Sequence, residues 1–222
     1  MLQAGREKVA AAARGLAAQG LVRGTSGNVS LREGDAVAIT PTGARLAALE
    51  ANDVAVVDLG GTQIWGELAP TSELGLHLGV YEAHDAGAVV HTHAPNATAI
   101  ACVLEELPVV HYEMLLLGGA VRVAPYETFG TPELAAAAVA ALEGRNAALL
   151  ANHGTIAKGA DLSFAVRATE LLEWSAELYR RAASLGEPRV LSEAQQQATI
   201  EAAVARSYGA PRPASTTEAA EA

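Results

Sequence analysis

Two histidines separated by a single residue, His91-Thr92-His93, are the part of this chain whose spacing most directly suggests chemistry. Residues two apart on a β-strand project from the same face, so both imidazoles can reach one ion. His153 stands immediately before Gly154, where a glycine lets the backbone pass close to a site. Glu73 follows Thr71-Ser72 in what reads as the first turn of a helix, a position where the axial dipole favours a carboxylate. Three imidazoles with one carboxylate suit zinc or a similar first-row ion better than calcium or magnesium, whose ligands are oxygens. The histidine pair taken alone is equally compatible with two hydrogen-bonded core residues. His77, four residues after Glu73 on the same helical face, is a rival ligand by spacing, or else a residue packed behind the ligands. His84 and His111 have no partner pattern and are expected to be structural or exposed.

Three further segments could hold an anion: Thr25-Ser26-Gly27-Asn28, Thr40-Pro41-Thr42-Gly43 and Thr71-Ser72. Each combines hydroxyls or amides with backbone N–H groups, which can hold phosphate without a lysine. Taken singly, each also reads as an ordinary turn or cap.

The elements that must position these residues follow from periodicity and punctuation. Val9, Ala13, Leu16 and Ala17 share one face of an opening helix from Arg6 to Gln19 that Gly20 ends. Short strands are expected at 29–31 and 37–40, and a hairpin at 54–65 turns at Gly60-Gly61. A helix capped by Thr71 or Ser72 runs to about His84, a buried strand covers Ala88–His93, and Pro95 opens a helix to about Leu104. Strands are expected at Val109–His111 and Val121–Ala124. Thr131-Pro132-Glu133 marks the start of a helix running to Leu142. Strands at 147–151 and 155–158 flank His153, and helices cover 161–184 and 191–207. This order implies an α/β fold of α+β type, with a central, largely antiparallel sheet flanked by helices. Residues 1–208 form a single expected domain. The Gly-, Pro- and Ala-rich tail 209–222 is expected to be disordered, having too little bulky apolar surface to offset the entropy of ordering.

Composition narrows the function classes. A net charge of −10 with 15 lysines and arginines argues against a general nucleic-acid surface. The apolar stretches are too short to span a bilayer, so no membrane partner is expected. A single cysteine, Cys102, and the lack of a signal-peptide pattern point to a reducing cytoplasm.

Six motifs in order carry a resemblance: Gly24-Thr-Ser-Gly-Asn28-Val-Ser30, Ile39-Thr-Pro-Thr-Gly43, Thr71-Ser-Glu73, His91-Thr-His93, Tyr126-Glu-Thr-Phe-Gly130 and Asn152-His153-Gly154. Together they resemble the class II aldolase/adducin family over residues 1–208, nearest to its aldolases of fuculose 1-phosphate. The resemblance implies one zinc ion per chain held by Glu73, His91, His93 and His153. It implies phosphate contacts from Asn28, Thr42, Gly43, Thr71 and Ser72. It also implies a homotetramer with active sites between subunits, a catalytic Tyr112 lent by the neighbouring chain, and a Tyr208 that closes over the substrate. The implied reaction is reversible cleavage of a ketose 1-phosphate to dihydroxyacetone phosphate and an aldehyde, with Glu73 as the general base. Alternatives on the same frame are a pentulose-phosphate 4-epimerase, a methylthioribulose-phosphate dehydratase and a non-catalytic adducin-like interaction domain.

Overall fold

The computed structural model describes residues 1–206. Tyr208 and the tail 209–222 lie outside the described residues. Within the compact unit Met1–Val190, the elements in chain order are α1 (Gln3–Ala18), β1 (Asn28–Glu33), β2 (Ala36–Ile39), β3 (Ala55–Asp58), β4 (Gln63–Trp65), α2 (Leu74–Ala83), β5 (Ala88–Thr92) and α3 (Pro95–Ala101). They continue with β6 (Glu106–Leu107), β7 (Val121–Ala124), α4 (Pro132–Ala141), β8 (Ala147–Leu150), β9 (Gly154–Gly159) and α5 (Leu162–Leu185). The strands form one sheet of order β4-β3-β2-β1-β5-β9-β8-β7-β6, antiparallel throughout except for the parallel pair β7–β8. This is the expected mixed fold with a central, mainly antiparallel sheet.

Strand alternation gives the sheet of the first unit two packed faces. Val37 and Ile39 of β2, Ala55 and Val57 of β3, Val89 of β5 and Ile156 of β9 pack with Leu76 and Val80 of α2 and with Leu134 and Ala138 of α4. The helices α1, α3 and α5 pack on one another and against β1, β5, β8 and β9. His91 lies two residues beyond Val89 and so shares the face covered by α2. Thr92 points the other way, where its hydroxyl bonds that of Thr155 at 2.7 Å.

Local chemistry sets several element ends. Thr131 Oγ1 accepts from Leu134 N and Asp161 Oδ1 from Phe164 N, capping α4 and α5 as their sequences imply. The start of α3 is held from a distance: Glu173 of α5 accepts from the N–H groups of Asn96 and Ala97 at 3.0 and 2.8 Å. That anchors the chain immediately after His93.

Two local readings are corrected. The strand expected at Val109–His111 is absent; β6 lies earlier, at Glu106–Leu107. Pro108 follows it, and its missing N–H cannot continue the ladder. His111 instead precedes a 3-10 turn over Tyr112–Leu117, where its Nδ1 accepts from Glu113 N. Glu73 is the N-cap residue of α2 rather than a member of its first turn, and Thr71 Oγ1 accepts from its N–H.

A second unit begins at Leu191. Its described helix, α6 (Glu193–Arg206), opens on a capping box in which Ser192 and Gln195 bond each other's backbone N–H. Among the described residues no helix is long and apolar enough to cross a membrane.

Candidate active site

The site is assembled where β5 runs between β1 and β9, with the N-terminus of α2 above it. Register does the assembly: Asn28 of β1 stands opposite His91 on one side, and Ile156 of β9 stands opposite it on the other. His153 ends the Ala151–His153 turn that joins β8 to β9. Asn152 in that turn takes a left-handed φ of 53°, which asparagine tolerates better than most residues. Gly154 is required by space. A Cβ there would lie 2.3 Å from the carbonyl oxygen of Thr92 and 3.0 Å from the His93 ring.

The imidazole rings of His91, His93 and His153 stand edge to face around one point, with centroids 4.8 to 5.0 Å apart. Their ligand-capable nitrogens all lie within 4.8 Å of one another, so the three can hold a metal ion. The tautomer of His91 follows from its neighbour. Its Nδ1 donates to the carbonyl oxygen of Thr155 at 2.8 Å, leaving a lone pair on Nε2 that faces the cluster. His93 Nε2 is 3.0 Å from that atom. Glu73 completes the ring, its Oε2 3.2 Å from His91 Nε2 and its Oε1 3.4 Å from His153 Nε2. The second approach lacks the alignment of a hydrogen bond, and Oε1 is a buried oxygen with no hydrogen-bond partner. Convergent imidazole lone pairs beside an unsatisfied buried carboxylate oxygen are what a dipositive ion would resolve.

The charge states agree. Burial pushes the pKa of His93 down to about 4, and positive charge at His91 and His153 adds to the effect. Burial likewise lowers that of His153. Burial alone would raise Glu73, but His91 in its protonated form, the amide of Asn28 and the field of His153 outweigh it, holding the carboxyl well below the usual carboxylate range. Near neutrality His93, His153 and Glu73 are therefore in the proton-free forms that metal binding requires.

Beside the cluster lies a cavity of about 290 Å³ lined by Thr25–Asn28, Pro41–Gly43 and Thr71–Ser72 together with Glu73, His93 and His153. Main-chain bonds clamp two of these segments together, from Thr42 N to Ala69 O and from Thr71 N to Thr40 O. Those two amides are thereby used within the fold, so the donors these segments offer are the hydroxyls of Thr42, Thr71 and Ser72 and the remaining backbone N–H groups, as at Gly43. Thr71 Oγ1 already accepts from Asn28 Nδ2 and Glu73 N, so its own proton is left to donate outward. Among the described residues the lining contains no lysine or arginine.

Tyr112 is not part of that lining. It is 39% exposed and stacks beside His111, whose ring meets Trp174 of α5 edge-on. His77 is no ligand, since both of its ring nitrogens have protein partners, Ser30 and Asn28. His84 bonds the carbonyl oxygen of Val139. Sequence reasoning passed over the roles of Ser30, Tyr81 and Thr155. The available signal was the four-residue ladder Glu73, His77, Tyr81 along α2.

The sequence profile of the Class II Aldolase and Adducin N-terminal domain matches residues 7–180. The chain belongs to this family. It is 42% identical to the 5-deoxy-D-ribulose 1-phosphate aldolase of Bacillus thuringiensis serovar kurstaki, covering 89% of this chain and 94% of that one. It is also 42% identical to the 5-methylthioribulose-1-phosphate/5-deoxyribulose-1-phosphate aldolase of Rhodospirillum rubrum, covering 86% of each. A solved L-fuculose 1-phosphate aldolase superposes with a TM-score of 0.86 at 37% identity, covering 89% of this chain and 95% of that one. As a class II aldolase family member the chain is an enzyme of the lyase type, in a family that is generally metal-dependent.

Proposed function

We propose that this class II aldolase cleaves a ketose 1-phosphate reversibly to dihydroxyacetone phosphate and an aldehyde, using one zinc ion per chain. The observation that carries the reading is the convergence of three imidazoles and the Glu73 carboxylate at a cavity lined with hydroxyl groups. Glu73, His91, His93 and His153 would hold the metal. When bound, it supplies Lewis acidity, stabilising the negative charge that develops on the ketose oxygens as the carbon–carbon bond breaks.

The protein's own groups do the rest. Thr42, Gly43, Thr71 and Ser72, with Asn28 at the base of the same cavity, hold the phosphate, and this remote binding orients the reacting carbons. In the synthetic direction Glu73 removes a proton from the carbon of dihydroxyacetone phosphate that will form the new bond. Displaced from the ion by substrate, Glu73 would take that proton on Oε1, which has no hydrogen-bond partner within the protein. Tyr112, lying outside its own chain's cavity and partly exposed, would serve a neighbouring subunit's site in a homotetramer, donating a proton to the aldehyde oxygen. Tyr208, outside the described residues, is assigned to closing that site. The cytoplasm is the compartment proposed.

Among ketose 1-phosphates, 5-deoxyribulose 1-phosphate is favoured over fuculose 1-phosphate, because two relatives named for the former share 42% identity, although a third shares 34%, and the fuculose phosphate aldolase of Escherichia coli K12 shares 38%. Incubating the zinc-loaded protein with 5-deoxyribulose, ribulose and fuculose 1-phosphates should release dihydroxyacetone phosphate, fastest from the first, with acetaldehyde as co-product. Formation of an epimer or a dehydrated ketone without any dihydroxyacetone phosphate would overturn the cleavage assignment.

A further inference from the structure

Behind the ligand cluster a line of polar side chains crosses the interior between β1 and α2. Ser30 and His77 are fully buried, and Asn28 and Tyr81 nearly so. Polar groups at that depth are costly unless each is hydrogen-bonded. The contacts are continuous. Tyr81 OH meets Ser30 Oγ at 2.7 Å, Ser30 Oγ meets His77 Nδ1 at 2.7 Å, His77 Nε2 meets Asn28 Oδ1, and Asn28 Nδ2 meets Glu73 Oε2 at 2.9 Å. Period fixes the two rails: Asn28 and Ser30 are two apart on a strand, and Glu73, His77 and Tyr81 are spaced by four along a helix.

The direction of every bond follows from one end. An ionised carboxylate only accepts, so Asn28 must turn its amide nitrogen toward Glu73 and its oxygen toward His77. His77 must then carry its proton on Nε2. Burial keeps the ring neutral, lowering its pKa to about 3, so Nδ1 is an acceptor for the Ser30 hydroxyl. Ser30 in turn accepts from Tyr81. No member can reverse without facing two donors or two acceptors at a junction. The second proton of Asn28 Nδ2 goes to Thr71 Oγ1 at 3.2 Å, so the same amide ties the carboxylate to a residue of the cavity wall.

We propose that His77 is a positioning residue for Glu73: through Asn28 it holds carboxylate Oε2 in place, with Ser30 and Tyr81 fixing its tautomer, so that Oε1 alone is left to the cavity. This deepens the proposed function and rests on it for the role of Glu73. It also assigns the Asn28 side chain to Glu73 and Thr71, leaving any phosphate contact of that residue to its main chain.

The test is a double-mutant cycle on the zinc-loaded full chain, reading kcat and KM for ketose 1-phosphate cleavage and zinc retention against a chelator. His77→Phe should lower kcat about 10- to 100-fold, the range for loss of a partner behind a metal ligand, with KM little changed. His77→Gln, whose amide can donate to Asn28 Oδ1, should recover most of the loss. In a Glu73→Gln background His77→Phe should add nothing, because the group it positions is already gone. Multiplying losses in the double variant, or wild-type kcat in a folded His77→Phe protein, would overturn the proposal. If thermal melting shows that His77→Phe does not fold, Ser30→Ala carries the same cycle with a smaller loss of the same sign. If the wild-type protein cleaves no ketose phosphate, it is the functional reading that fails. Zinc retention then decides the relay alone: weakening in His77→Phe that vanishes in Glu73→Gln supports it, and equal weakening in both backgrounds refutes it.

Discussion

Gly154→Ala is a one-carbon perturbation whose effect can be worked out from the backbone. The added Cβ would sit 2.3 Å from the Thr92 carbonyl oxygen and 3.0 Å from Cδ2 of His93. Ordinary contact is about 3.5 Å, so β9 would have to retreat from β5 by roughly 1 Å at this point. Both obstacles are difficult to move: one is main chain within the Thr92–Thr155 ladder pair, the other a ring in the ligand cluster. Overpacking of this kind costs about 1–3 kcal/mol, and a backbone obstacle argues for the upper end. For a chain of this size a loss of about 3 kcal/mol corresponds to a fall in Tm of roughly 6–12 °C. The same displacement separates His153 from His93, and a ligand set must be held within about 0.5 Å of its productive geometry. Zinc retention against a chelator should therefore fall at least about tenfold. Gly15→Ala is the control, because a Cβ in that helical position meets nothing within 4 Å. It should leave zinc binding alone and stabilise the chain by about 0.5–1 kcal/mol. Scanning calorimetry and chelator competition on both variants check the reasoning, and it is refuted by a Gly154→Ala protein with wild-type Tm and zinc retention.

Ser72→Ala should lower kcat/KM for a phosphorylated ketose about 10- to 100-fold, the worth of one hydrogen bond to a charged group, while leaving zinc content and the rate with an unphosphorylated ketose unchanged. Tyr112→Phe should lower cleavage about 10²- to 10⁴-fold, and mixing it with Glu73→Gln chains should restore part of the activity if sites are shared between subunits. Acidification should destabilise the metal-free protein between pH 6.5 and about 3. His77 has a folded pKa near 3, below its ordinary 6.5, so the unfolded chain binds the proton first and stability rises with pH across that window. Its slope is at most about 1.4 kcal/mol per pH unit; His93 and His153 add contributions of the same sign, and His77→Gln should flatten the profile in an acid-unfolding series.

What the amino-acid sequence determined by itself was what depends on near neighbours. The pairing of His91 with His93 on one face follows from the period of a strand. The starts of α4 and α5 follow from Thr131-Pro132 and Asp161, whose side chains bond amides three residues away. The family follows from the order of six short motifs. Tertiary structure alone decided the rest, because strand register and the satisfaction of buried polar groups are set by residues distant in the chain. Nothing near Asn28 indicates that it will stand opposite His91; pairing of β1 with β5 turns its side-chain amide to Glu73. The three-residue displacement of β6, the anchoring of α3 by Glu173 from 77 positions away, and the separation of Tyr112 from its own chain's cavity are equally invisible to local patterns. The candidate site residues are thus legible in short motifs, while the hydrogen bonds that orient Glu73 come from a sheet that brings β1, β5 and β9 side by side beneath α2.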